Sequence, residues 1–265
     1  MIRGLLIVAF TIGCSSLAMA AGVCSIVDAS TGYLLGASNG RAWLDPVKAA
    51  RERPRAQKYR LYCLLGDRAQ TVTGTAPTSP GPPCPESFEV RISPKSADNC
   101  IALAAPWNAM PRKVRTLEPS QPAYVNAVRR FLDDHDLHGS EVKITQVLRC
   151  DLDADGEPEV VISATNFPTH KPMSPNASAG SYSVVLLRHL VRGKVETTLI
   201  DGELYPAAKK FSAPNRYRVA GLLDLDGDGK YEIVLHSEYY EGEATVVYRL
   251  DGTSRREVLR SGCGA

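Results

Sequence analysis

Val147-Leu148-Arg149-Cys150-Asp151-Leu152-Asp153-Ala154-Asp155-Gly156-Glu157-Pro158-Glu159-Val160-Val161-Ile162 and Ala220-Gly221-Leu222-Leu223-Asp224-Leu225-Asp226-Gly227-Asp228-Gly229-Lys230-Tyr231-Glu232-Ile233-Val234-Leu235 are one phrase written twice, at a constant offset of 73 residues. Each copy opens apolar, passes through D-x-D-x-D-G-x-x-E and closes on a β-branched run. Apolar and β-branched flanks around a Gly/Asp turn read as strand, acidic loop, strand. Further on, Tyr182–Arg188 and Ala244–Leu250 read as an additional strand in each unit. A fixed period of this length marks a repeated structural module. The fold class expected is mainly β.

The residue types in the loop follow from the chemistry of a hard divalent cation. Ca²⁺ takes six to eight oxygen ligands at about 2.3–2.6 Å. Carboxylates at alternate positions of a curled loop point at one centre, and the glycine at the sixth position permits the sharp turn. The first loop offers Asp151, Asp153, Asp155 and Glu159, with the backbone carbonyl of Glu157; the second offers Asp224, Asp226, Asp228 and Glu232, with that of Lys230. Four carboxylates so close repel one another without a cation. An EF-hand shares the first six positions but needs a bidentate Glu at the twelfth, where this chain has Ile162 and Leu235. The loops therefore sit at strand-to-strand turns, and two Ca²⁺ sites are expected.

In both loops this pattern resembles the FG-GAP or VCBS-type repeats, the calcium-binding blade motifs of integrin-like β-propellers. The resemblance spans roughly Lys143 to Leu259. It implies four-stranded blades whose loops hold calcium for structural rather than catalytic ends. The family's Phe-Gly and Gly-Ala-Pro segments are not legible here, and two repeats cannot close a propeller of four to eight blades. Either the N-terminal region supplies degenerate blades or the two units form a partial propeller or smaller open β assembly; the second is preferred.

Outside the repeats, residues 21–118 read as a β-rich N-terminal domain. Ser38-Asn39-Gly40 between apolar runs is a hairpin signal. Asp45-Pro46 reads as an N-cap and first helical residue of a short basic helix. Tyr59–Leu65 and Gln70–Thr75 read as a strand pair, and the prolines of Thr75–Pro85 forbid a ladder there. Phe88–Ile92 alternates like a half-buried strand and is expected to pair with Ile101–Ala105. Residues 119–139 hold a bridging helix with Ser120 as cap, Pro122 in the first turn, a stripe of Tyr124, Val125, Val128, Phe131 and Leu132, and Gly139 at its end. Residues 140–265 carry the two repeats.

Residues 1–20 have the layout of a secretory signal peptide, with Arg3, an apolar run from Leu5 to Ile12 and Ala18-Met19-Ala20 for cleavage. Thr11-Ile12-Gly13-Cys14 is an imperfect lipobox, which would tether the protein at Cys14. The expectation is a periplasmic or extracellular protein, alternatively a lipoprotein, with no transmembrane span. Cys24, Cys63, Cys84, Cys100, Cys150 and Cys263 remain in either case, with 15 connectivities open. None are at C-x-x-C spacing, which excludes a cysteine zinc site of that type. The apolar share of 44%, charged share of 23% and formal net charge of +2 describe a chain able to bury a core. They exclude a disordered polyelectrolyte and lack the basic footprint of a nucleic-acid binder.

No nucleophile elbow, H-E-x-x-H, phosphate loop or dinucleotide fingerprint is present. His135 and His138 read as surface residues at a helix end, and Glu238–Glu243 as a hairpin connection. Asn176-Ala177-Ser178 is a formal glycosylation sequon in a Pro/Ser/Asn-rich loop from Phe167 to Gly180, readable as mobile or as a binding lip. The function expected is non-enzymatic calcium-stabilised interaction with a protein or glycan partner. The alternative is an exported hydrolase with its site in the N-terminal domain.

Overall fold

The computed structural model describes residues 22–96, 99–169, 172–252 and 254–264; the expected leader and Cys14 lie outside them. The chain begins with β1 (Cys24–Asp28), β2 (Leu34–Ser38), β3 (Trp43–Leu44), α1 (Pro46–Glu52), β4 (Gln57–Cys63), β5 (Gln70–Gly74), β6 (Ile92–Ser93) and β7 (Cys100–Leu103). It continues through β8 (Arg115–Thr116), α2 (Pro122–Asp133), β9 (Ile144–Cys150), β10 (Glu159–Thr165), β11 (Ser181–Val191) and β12 (Lys194–Tyr205). It closes with β13 (Arg216–Leu223), β14 (Glu232–Tyr239), β15 (Gly242–Asp251) and β16 (Ser254–Gly264). Three antiparallel sheets result, none closed into a barrel: β3-β2-β1-β7-β4-β5-β6, β12-β11-β10-β9-β8 and β13-β14-β15-β16. The fold is mainly β and open, as expected.

Each acidic phrase is the first turn of a four-stranded meander, β9 to β12 and β13 to β16. The third sheet is the central layer. One of its faces sets Val219, Ile233, Leu235 and Val246 against Leu148, Val161, Val185 and Leu187 of the second sheet. The other sets Ala220, Val234, Val247 and Leu259 against Ile26, Leu35, Ile101 and Leu103 of the first. A strand covered on both sides has no solvent face to fill with polar residues, which is why Ile233-Val234-Leu235 is apolar at every position. Helix α1 caps the far side of the first sheet, with Ala49 and Ala50 near Val27, Leu34 and Tyr59. Helix α2 caps the far side of the second, through Val128, Phe131 and Leu132 against Val147, Ile162, Tyr182 and Val184. The layers run α1, first sheet, third sheet, second sheet, α2.

Where the first and third sheets meet, Gly36 of β2 has φ +142, and a methyl group there would collide with the Leu44 carbonyl oxygen and the Leu259 side chain. The close approach needs glycine for both reasons.

Several local readings hold. Asp45 caps α1, its Oδ1 accepting from the Lys48 backbone N–H at 2.8 Å. β2 pairs with β3 and β4 with β5. Others need correction. β7 does not pair with Phe88–Ile92 but inserts between β1 and β4, because its four residues are fully buried and a sheet centre buries a strand on both edges and both faces. Glu89 makes only isolated bridges, to Tyr33 and Thr78. Ser120 does not cap α2: Gln121 holds the cap position without a side-chain bond, and the Ser120 hydroxyl donates to Glu118 Oε1 at 3.1 Å. The helix stops at Asp133, before Gly139, and its buried stripe covers the second sheet alone rather than bridging two β regions. The first sheet, seven strands in crossed order, is not a degenerate blade.

Two disulfides choose among the open connectivities. Cys63–Cys100 joins directly opposed residues of β4 and β7. Cys84–Cys263 ties the proline-rich loop to the last strand across 179 residues; a closed loop of that size restricts the unfolded chain by about 5 kcal/mol in the entropic account. Cys24 and Cys150 are buried free thiols, and burial pushes the Cys150 thiol up to about 11. No helix among the described residues is long and apolar enough to cross a membrane.

Candidate metal centres

Each acidic loop hangs from one rung of its ladder. Glu159 pairs with Cys150 at the first loop and Glu232 with Leu223 at the second. Between those rungs the chain curls so that its own backbone N–H groups reach the carboxylates, bond for bond in both copies. Leu152 N–H donates to Glu159 Oε2 at 2.7 Å, and Leu225 N–H to Glu232 Oε2 at 2.8 Å. Ala154 and Gly156 N–H donate to the two oxygens of Asp151; Gly227 and Gly229 N–H donate to those of Asp224. Asp153 and Asp155 accept from Asp155 and Glu157 N–H, as Asp226 and Asp228 accept from Asp228 and Lys230 N–H. Ten equivalent bonds fix the side-chain directions before any ion arrives.

One difference separates the copies. The second loop has Gly227 at φ +82 where the first has Ala154 at φ +66, a conformation that costs a residue with a Cβ about 1–2 kcal/mol. Gly227 also lies flat under the Trp107 ring, at 3.3 Å from where a Cβ would stand.

The curl gathers Asp151, Asp153 and Glu159 in one loop and Asp224, Asp226 and Glu232 in the other, each triplet with oxygens within 4.8 Å of one another. Either triplet could hold a metal ion. Asp155 and Asp228 stand outside these close groups, and for Glu157 and Lys230 the contact shown is their N–H bond to the preceding aspartate. The second triplet is buried throughout, whereas Asp153 of the first is exposed. Burial, then the neighbouring Asp226, pushes Glu232 up to about 9; burial and Asp153 push Glu159 up to about 7. Burial also raises Asp224 and Asp226, helped by their neighbouring aspartates.

Part of the charge of the second loop is met from within. Arg249 on β15 reaches Asp226 Oδ2 at 2.5 Å and Asp228 Oδ2 at 2.8 Å. By strand register the position facing Glu232 is that of Arg249, and the one facing Glu159 is that of His189.

Sequence reasoning missed two residues that hold the loops, Arg112 across both and Trp107 on the second. The irregular segment between β7 and β8 threads between them. Arg112 donates from Nε to the Asp151 carbonyl at 2.6 Å and from Nη2 to the Gly229 carbonyl at 2.8 Å, and its guanidinium lies 4.3 Å from the centre of the Tyr231 ring. The Tyr231 hydroxyl in turn accepts from Arg112 N–H and donates to Arg112 O. Trp107 donates from Nε1 to the Asp224 carbonyl at 2.9 Å, the counterpart in the second loop of the carbonyl that Arg112 holds in the first. Neither lies in a periodic segment, and neither is near a loop in sequence, so no local signal marks them.

The remaining expected features fall elsewhere. His135 Nδ1 contacts the Phe131 carbonyl at 2.7 Å and His138 lies 3.5 Å from Asp133, both at the end of α2. Glu238–Glu243 forms the β14–β15 turn, with Tyr239 and Tyr240 packed edge to face. The described residues of the Phe167–Gly180 loop are anchored: Ala177 and Lys209 exchange both backbone bonds, and Phe167, Met173, Ala177 and Tyr205 form a small core. Asn176 Oδ1 accepts from Phe211 N–H. No family model, no curated protein and no solved structure matches this chain, so what its two loops do rests on their own geometry.

Proposed function

We propose that the two loops each hold one Ca²⁺ ion and that the protein is an exported, calcium-stabilised β-repeat protein of the FG-GAP/VCBS type, with a structural or interaction role toward a protein or glycan. The observation that carries this reading is the identical hydrogen bonding of two loops 73 residues apart. The donor set fits the ion: every side-chain ligand is a carboxylate oxygen, the chemistry of a hard cation rather than of zinc or copper. Asp151, Asp153, Asp155 and Glu159 with the Glu157 carbonyl would bind one ion; Asp224, Asp226, Asp228 and Glu232 with the Lys230 carbonyl would bind the other. Bound there, calcium would offset the burial and the neighbouring carboxylates that raise Glu232 to about 9. Affinities of about 10⁻⁴–10⁻³ M, common for extracellular modules, suit such sites. Two disulfides agree with folding in an oxidising compartment.

Calorimetric titration of the chelator-treated protein tests this. Two calcium ions per chain are expected, and one after the double substitution Asp224→Asn, Asp226→Asn. A stoichiometry of zero in the unsubstituted protein removes the reading.

Arg249 supplies a second check. Its substitution by Ala strips a half-buried pair from Asp226, so the metal-free protein is expected to lose about 1–3 kcal/mol in urea unfolding. Saturating calcium takes over the neutralisation, and the loss is expected to shrink to less than half. An equal loss with and without calcium would place the ion elsewhere.

A further inference from the structure

The face of the third sheet that packs on the first sheet is apolar at Val234, Val247 and Leu259, then changes character at one end. Register sets Arg216 opposite Glu238, and Glu238 opposite Glu243; one rung along, Arg218 stands opposite His236, and His236 opposite Thr245. Alternate residues of a strand share a face, so these six form a polar grid two rungs deep and three strands wide. All of the grid but Thr245 lines a cleft of about 650 Å³ where all three sheets meet, with Ser30 and Asn99 from the first sheet's side and Thr145 from the second. It lies apart from both acidic loops.

The charges of the grid are segregated rather than alternated. Both guanidiniums stand on β13, and both carboxylates stand side by side across β14 and β15. Like charges directly opposite one another destabilise a sheet. Burial and Arg218 lower Arg216, and burial and the enclosed Asp28 carboxylate raise Glu243. Arg216 pairs with Glu238 through Nη2, while its Nη1 is buried with no hydrogen-bond partner among the described residues. Asp28 lies buried beside the grid, accepting from Ser30 Oγ, Ser30 N–H and Thr245 Oγ1. His236 completes a chain between Thr245 Oγ1 at 3.4 Å and Glu243 Oε2 at 3.5 Å.

We propose that this cleft binds a short zwitterionic peptide of two or three residues, its carboxylate toward Arg216 and Arg218 and its ammonium toward Glu243, with Glu238 held by Arg216 between them. Arg218 on β13 and Glu243 on β15 stand two strands apart, about 9.5 Å between backbones, and an extended chain covers about 3.3–3.6 Å per residue, so two or three residues bridge the two edges. A cleft of this volume falls within the usual range for small ligands. The formal charges of the grid cancel, so a ligand with one charge leaves one edge uncompensated, whereas a zwitterion meets both.

The test is calorimetric titration of the calcium-loaded protein with Ala-Ala, Ala-Ala-Ala, their N-acetylated and C-amidated forms, alanine, and glucose as the neutral hydroxylated control. The free di- or tripeptide is expected to bind with submillimolar affinity, and capping either terminus to weaken it at least tenfold. In Glu243→Gln the free peptide is expected to weaken tenfold and N-acetylation to make no further difference, which a merely structural role of Glu243 would not produce. Binding of the capped peptides as tightly as the free ones, tighter binding of glucose, or no heat from any peptide at millimolar concentration each overturns the proposal. Calcium stoichiometry, measured on the same sample, reports on the acidic loops independently.

Discussion

Calcium at about 10 mM is expected to raise the melting temperature by roughly 10 °C over the chelator-treated protein. A ligand that binds only the folded state stabilises it by RT ln(1 + [L]/Kd). For affinities of about 10⁻⁴–10⁻³ M that amounts to about 1.4–2.7 kcal/mol per site at this concentration. Two sites contribute about 3–5 kcal/mol, and a chain of this size shifts by about 2–4 °C per kcal/mol. Magnesium is expected to do far less, because it demands near-ideal octahedral geometry and gives up its water reluctantly. The second loop should hold the larger share, since its triplet is buried throughout while Asp153 of the first is exposed. Asp224→Asn with Asp226→Asn is therefore expected to remove at least half of the rise in a calorimetric scan. A full rise in that variant would discard the second loop as a site.

Replacing Arg112 by Ala is expected to destabilise the protein by about 3–5 kcal/mol in urea unfolding, more than any single ligand substitution. Its fork satisfies the Asp151 and Gly229 carbonyls, one in each loop, and its plane covers Tyr231. Removing it leaves two partly buried acceptors unpaired, at about 1–3 kcal/mol each, and forfeits the ring contact. Arg112→Lys is expected to recover less than half, because an ammonium lacks the planar fork. The loops keep their direct Tyr231 N–H to Leu152 carbonyl bond but lose the guanidinium that bridges them. Calcium should accordingly restore only a fraction of the lost stability, whereas an effect of Arg112 confined to charge would be cancelled by the ion. Near-native stability of the Ala variant would reduce the clamp to a surface contact.

The repeat was legible because its constraints are local. A D-x-D-x-D-G-x-x-E loop needs glycine at the turn and carboxylates at alternate positions, and those demands are written in consecutive residues. The same holds for Asp45 and Pro46 at the start of α1, and for the Asn39-Gly40 turn between β2 and β3. Local reasoning failed where burial overrode pattern. The alternation of Phe88–Ile92 predicts pairing with Ile101–Ala105, yet the strand Cys100–Leu103 sits at the centre of the first sheet, because four buried residues gain more from two flanking strands than from one. Ser120 looked like a cap by residue type, but its hydroxyl is drawn to Glu118.

Residue order alone was thus enough to specify mainly β structure, the two acidic turns and their carboxylate set, since each depends on neighbours a few positions away. Only the folded arrangement decided that the third sheet lies between the other two, which cysteines pair, and that Arg112 and Trp107 reach the loops. It alone also placed Arg216, Arg218, Glu238 and Glu243 around one cleft. Those outcomes come from pairing and packing between segments tens to hundreds of residues apart. Their selection rests on shared buried area and matched hydrogen bonds, quantities that no short window of sequence contains.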